Sequence, residues 1–178
     1  MPGAFVCGAQ GAADPAQGWS GPTWTLEGRP LEHLWHDNAG VSWQPWTGGA
    51  PEDRNENVYI DGFHDRRLAQ ASRIRIENFQ GPVMCVAGLD DGLWPGSYSG
   101  YLVCDTLRRH GHHAERLRLD YEYAGHSITV PYVPTTQIHK RHPVSGIDLS
   151  TGGTAQGNAR ASVDSFEKTC EFLERTCI

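Results

Sequence analysis

Two places in this chain combine residue types that can move a proton. Asp90 and Asp91 follow directly on the apolar run Val83-Met84-Cys85-Val86-Ala87 and its closing Gly88. Gly125-His126 lies a few residues beyond a second run, Glu115-Arg116-Leu117-Arg118-Leu119-Asp120-Tyr121. The first run has no polar residue and reads as a strand buried on both faces, whereas the second alternates polar and apolar, as a strand with one wet side does. Where two such strands lie parallel, their carboxyl ends share an edge, and catalytic groups of open parallel sheets collect at that edge. A carboxylate and an imidazole that meet there make a general base. The carboxylate accepts from one ring nitrogen and leaves the other free to take a proton. Asp91, fourth in the turn Gly88-Leu89-Asp90-Asp91, is the expected acid, with Asp90 as second candidate. The competing reading of the same residues is an aspartate pair that caps a turn or helix, and a loop histidine.

Such a base needs a nucleophile to deprotonate, and no Ser or Cys stands in a G-x-S/C-x-G turn between a strand and a helix. Gly18-Trp19-Ser20-Gly21-Pro22 comes nearest, but proline replaces the last glycine and no strand precedes it. Gly96-Ser97-Tyr98-Ser99-Gly100 has tyrosine at the middle position, and Cys7 ends an apolar step without elbow glycines and reads as core. His110, His112 and His113 could gather zinc by type, yet they follow a helix end with no Cys or carboxylate set beside them, so a solvated loop is expected and no metal. The cluster His139-Lys140-Arg141-His142 reads as solvated surface, with contact to the phosphates of a ligand as the lesser alternative.

The elements that must position Asp91 and His126 are strands and helices in alternation, an α/β pattern. Parallel strands are expected near 3–7, 82–87 and 115–120, and helices near 97–110 and 155–175. Ser97 is the expected cap of the first helix, with the stripe Tyr98, Tyr101, Leu102 and Leu107, basic residues at its end and Gly111 just past it. Strand, helix and strand in that order imply a parallel pair joined by a crossover. The last helix starts at Thr154 and repeats Ala159, Val163, Phe166, Cys170, Leu173 and Cys177 at three- and four-residue steps, a stripe expected to bury against the sheet. A short helix after Asp65 would face Leu68 and Ala71 inward. Between 9 and 64 the chain is rich in Gly, Pro, Trp and Asn, with Pro15, Pro22, Pro30, Pro45 and Pro51 interrupting helices, so a long irregular, lid-like insertion is expected. Burial of Trp19, Trp24, Trp35, Trp43 and Trp46 would anchor it.

At 178 residues, with 38% hydrophobic and 20% charged, the chain suits a single folded domain over 1–178. A net charge of −6 without dense Lys or Arg runs argues against nucleic acid. No stretch reaches the roughly 18 apolar residues of a membrane span. The N-terminus lacks a secretory pattern, and five cysteines without C-x-x-C spacing read as reduced thiols, so a cytoplasmic protein is expected.

Several words occur in a recognisable order: Gln80-Gly81-Pro82-Val83, Gly88-Leu89-Asp90-Asp91-Gly92-Leu93-Trp94-Pro95, Leu107 to Gly111, Tyr123-Ala124-Gly125-His126-Ser127-Ile128, Pro131-Tyr132-Val133-Pro134, and Gly152-Gly153-Thr154 followed by Ala159. Trp24-Thr25-Leu26-Glu27-Gly28-Arg29-Pro30-Leu31 precedes them. In this order the chain closely resembles the C-terminal domain shared by acyl-CoA thioester hydrolases and bile acid-CoA:amino acid N-acyltransferase. The resemblance implies the C-terminal half of an α/β-hydrolase fold, with Asp91 as triad acid and His126 as triad base. It also implies Trp94, Pro131 and Tyr132 as substrate-binding residues, the Pro131 to Pro134 segment walling an acyl pocket. The substrate would be an acyl-CoA thioester, with no cofactor. Gly96 departs from the serine expected after Trp94-Pro95. The larger departure is the nucleophile elbow, which in the family precedes the segment that Ala4 to Cys7 resembles and is expected to be absent from this chain. The alternative is an inactive remnant or binding module that pairs an exposed sheet edge with itself or with a partner chain.

Overall fold

The computed structural model describes residues 5–6, 9–10, 21–22, 24–34, 62–141 and 148–177. Its centre is a strand-helix-strand unit. The strand β5 (Val83–Gly88) runs parallel to β6 (Arg116–Tyr121), with Val83 opposite Arg116 and Gly88 opposite Tyr121, one residue later at each end than the sequence pattern predicts. Before this unit lie two short antiparallel pairs, β1 (Ala9–Gln10) with β2 (Gly21–Pro22) and β3 (Thr25–Leu26) with β4 (Arg29–Pro30), and the helix α1 (Arg66–Ala71). After it come the antiparallel pair β7 (His139–Arg141) and β8 (Asp148–Ser150), then the long helix α3 (Ala155–Thr176). The chain is an α/β protein. Among the described residues no helix is long and apolar enough to cross a membrane.

The helix α2 (Gly96–Arg109) joins the two parallel strands and packs on the side of the sheet that Cys85 faces. Ser97 does not cap it. The capping position is Pro95, whose ring sets a φ close to the helical value, and its carbonyl accepts from Ser99 N, so Ser97 falls inside the first turn. The other end behaves as the sequence predicts. Gly111 has φ +70, which lets Gly111 N donate to Arg108 O and His112 N to Leu107 O, the paired bonds that close a helix C-terminus. Leu107, Val103, Cys85 and Leu68 form the main core with Phe5, Val6 and Leu34. Burial, followed by the neighbouring Cys104, pushes the Cys85 thiol up to about 12, so it packs as a small apolar group.

Three further expectations need correction. Phe5 and Val6 are buried, but Val6 bridges antiparallel to Arg73 and Ile74 N donates to Phe5 O; the rest of the strand expected over 3–7 lies outside the described residues. In α1, capped by Asp65, Leu68 is buried while Ala71 is exposed, because a helix of six residues covers the core with one turn. The third correction concerns α3. Its apolar stripe is largely left in solvent, with Phe166 46% and Leu173 49% exposed, and the buried face is instead Asn158, Ala161, Ser162, Ser165 and Phe172. At its start the helix meets the loop after β6, twice through loop backbone and once through a loop hydroxyl. Asn158 Oδ1 accepts from Gly125 N, Ser162 Oγ accepts from Thr129 N, and the Ala155 carbonyl accepts from Thr135 Oγ1. Loop amides buried without partners would cost free energy, and Asn158 and Ser162 satisfy two of them. Of the insertion over 9–64, the described parts are the short pairs above and the start of the helical region. Trp24 is exposed, and Trp19, Trp35, Trp43 and Trp46 lie outside the described residues.

Leu107 is fully buried at the centre of the core, and Leu107→Ala is expected to cost about 2–5 kcal/mol, seen as a lower urea midpoint at unchanged slope. Arg73 grips Glu77 through two contacts of 2.6 Å and holds its carboxyl down to about 2 from 4.5. A depressed carboxylate stabilises the fold fully above its unfolded pKa and loses that contribution as pH falls through the folded value. Stability should therefore decline as pH drops from about 4.5 toward about 2. Glu77→Gln should flatten that part of the curve and cost about 1 kcal/mol at neutral pH.

Candidate active site

Asp91 lies in the turn that leaves β5, and its carboxylate is divided between two tasks. Oδ1 accepts from Leu93 N at 2.8 Å and from Trp94 N at 3.0 Å, which holds the turn that leads into α2. Oδ2 faces Nδ1 of His126 at 3.0 Å, across 35 residues of sequence. The acid is 5% exposed, so the pair meets away from bulk water, where a charge-assisted bond strengthens. In the neutral tautomer that donates from Nδ1 to a carboxylate, an imidazole keeps its lone pair on Nε2. The Trp94 indole stacks beside the imidazole, ring centroids 6.0 Å apart and planes 18° from parallel.

A third segment brings the two turns together. The stretch from Ser150 to Thr154, between β8 and α3, runs between the acid turn and the histidine turn and bonds to both. Gly92 N and His126 N both donate to Thr151 O, while Asp91 bridges antiparallel to Gly152 and Ala124 to Gly153. Asp90, the second candidate for the acid, points elsewhere. Its Oδ2 accepts from Gly153 N at 2.9 Å and its own N–H donates to Ala124 O. Gly152 and Gly153 have φ +68 and +75, and a Cβ on Gly152 would lie 1.9 Å from Asp90 O. Any side chain there would push the two turns apart.

A cavity of about 600 Å³ opens beside the pair. Met84 and Val86 of β5, Ile128 and Val130 of the loop after β6, and Ser165 and Thr169 of α3 line it together with Asp91 and His126. Trp94, Pro131 and Tyr132 are not in the lining. Trp94 backs the imidazole, Pro131 is half-buried, and Tyr132 is 97% exposed at φ +67. Among the described residues no group of three His, Cys, Asp or Glu side chains could hold a metal ion. His110 and His112 lend backbone N–H groups to the end of α2. Ser20 and Cys7 lie outside the described residues. Asn158 and Thr151 carry no sequence signal that marks them for this site. Their partners lie 33 and 25 residues away, and one of them acts through its backbone alone.

The sequence model of the family described as BAAT / Acyl-CoA thioester hydrolase C terminal matches residues 25–177. Acyl-coenzyme A thioesterase 6 of Mus musculus is 30% identical over 104 residues, 58% of this chain and 24% of that protein. The peroxisomal succinyl-coenzyme A thioesterase of the same organism is 30% identical over 102 residues, 57% and 24% of the two chains. Acyl-coenzyme A amino acid N-acyltransferase 1, also from Mus musculus, is 31% identical over 108 residues, 61% and 26%. The matched stretch thus spans about a quarter of the length of these relatives. Because the family match runs from the β3–β4 hairpin through Asp91 and His126 to the end of α3, the chain belongs to the BAAT / acyl-CoA thioester hydrolase C-terminal family.

Proposed function

We propose that Asp91 and His126 are the acid and base of acyl transfer from an acyl-CoA thioester, on an α/β-hydrolase scaffold. The observation that carries this reading is the 3.0 Å contact of Asp91 Oδ2 with His126 Nδ1, made while the other carboxylate oxygen is tied to backbone. Nε2 of His126 takes the proton of a hydroxyl or thiol nucleophile as it attacks the thioester carbonyl, and Asp91 stabilises the imidazolium. When the C–S bond breaks, the imidazolium returns that proton to the leaving CoA thiolate. Water, in a thioesterase, or an amine, in an acyltransferase, then releases the acyl group through the same base. The apolar side of the cavity, Met84, Val86, Ile128 and Val130, suits an acyl chain. Trp94 keeps the imidazole face dry.

The chain offers the base and its acid, and no G-x-S/C-x-G turn occurs in its 178 residues. A second reading, a non-catalytic module that associates with a partner chain, draws on the exposed Phe166 and Leu173 side of α3 and on a parallel sheet two strands wide among the described residues.

An acyl chloromethyl ketone tests the base directly, since it alkylates an unprotonated Nε2 held beside an acyl site. Peptide mapping should place the label on His126, and Asp91→Ala should slow labelling by at least about an order of magnitude. Equal labelling of the exposed His110 and His113 would reject the assignment. The purified chain should turn over palmitoyl-CoA and a short-chain thioester at rates near background, because nucleophile and adjoining oxyanion amide come from one elbow. Turnover that His126→Ala abolishes would assign a nucleophile within the chain, with Ser20 and Cys7 as the first residues to replace.

A further inference from the structure

The ring of His126 is held by Asp91, but the peptide that carries the ring is held from elsewhere. His126 N donates to Thr151 O at 2.7 Å, and the preceding N–H, that of Gly125, donates to Oδ1 of Asn158 at 2.7 Å. Asn158 sits in the first turn of α3 and is 0% exposed. The helix does not need this side chain for its own bonds. The backbone N–H of Asn158 donates to Thr154 O, its carbonyl accepts from Ser162 Oγ, and Thr154 supplies the cap through Gly157 N. The Nδ2 end of the amide is buried with no partner among the described residues. A leucine of similar size would avoid that cost, so packing alone does not account for an amide here.

The Gly125 N–H has little room for a substitute acceptor. Gly125 is buried, and a Cβ on it would lie 2.3 Å from the backbone of Thr151 and Gly152. Oδ1 of Asn158 also lies 2.8 Å from where a Cβ on Gly153 would be, so the amide packs between the histidine turn and the glycine pair. We propose that Asn158 is a positioning residue for His126: by holding the Gly125 N–H it fixes the Ala124–Gly125 peptide, one step before the residue that carries the imidazole, and so sets the turn from which the ring projects, with Nδ1 rather than Nε2 meeting Asp91. The inference rests on the acid–base reading of Asp91 and His126. Asn158 touches neither ring nor substrate and acts through the backbone.

Tautomer state reads this directly. In alkaline buffer free imidazole favours the Nε2–H form, whereas a ring pinned through Nδ1 to a carboxylate carries its proton on Nδ1. In the full chain labelled with ¹⁵N-histidine, His126 should show the Nδ1–H form by imidazole nitrogen and proton shifts. Asn158→Ala should lose it, with near-ultraviolet circular dichroism confirming that the fold is kept. Asn158→Asp, which retains an acceptor oxygen for Gly125, should restore it. Asn158→Ser, whose hydroxyl stops short of the Gly125 amide, leaves a smaller gap and applies the same test should the alanine variant fail to fold. A folded Asn158→Ala or Asn158→Ser protein with the native Nδ1–H signature would overturn the positioning role. Absence of that signature from the unsubstituted chain would instead overturn the acid–base reading, so the two failures are told apart.

Discussion

A carboxylate has two oxygens, and the architecture around this site follows from giving each oxygen of Asp91 a different partner. Oδ1 belongs to the backbone of Leu93 and Trp94, and Oδ2 to His126. Were both oxygens spent on the turn, the imidazole would have no partner. Were both free, the carboxylate could rotate away from the ring. The division fixes the direction of the acid without a second charged residue, because backbone amides orient a carboxylate and do not titrate.

That arrangement requires two turns from different strands to approach closely, and backbone supplies the contact. The segment from Ser150 to Thr154 donates and accepts on both sides, and its two glycines adopt a conformation and a proximity that no side chain tolerates. The histidine turn is therefore braced from two directions, by the Thr151 carbonyl and by the first turn of α3. Rigid support of this kind suits the proposed role of His126, since a general base must reach the proton it abstracts to within tenths of an ångström.

The long helix shows how such support competes with ordinary amphipathic packing. Its apolar residues form a stripe at helical spacing, yet the face turned to the sheet and the loop carries Asn158, Ser162 and Ser165. Loop backbone that passes under a helix must have its amides satisfied, and short polar side chains on that helix do so at close range. Farther along, Tyr121 on β6 reaches Asp164 of the same helix at 2.6 Å, and burial together with that carboxylate raises the tyrosine's pKa. The helix is thus registered to the sheet by hydrogen bonds at several heights, so the stripe of Phe166 and Leu173 stays outside.

Much of this protein was legible from local pattern. The unbroken apolar run after Pro82 and the alternating run after Ala114 specify two parallel strands, since only a doubly covered strand can do without polar residues. The stripe of α2 and Gly111 specify the helix between them and its end, because an αL residue at that place selects glycine. Asp91 and His126 could be paired in advance, because each follows one of the two strands and parallel strands bring their ends together. The tertiary structure alone decided which face of α3 is buried, where Asp90 turns instead of to the histidine, and that Asn158 and Thr151 brace the site. These outcomes depend on backbone groups that every residue carries alike, and on contacts between segments some 25 to 63 residues apart, so no spacing of side-chain types encodes them.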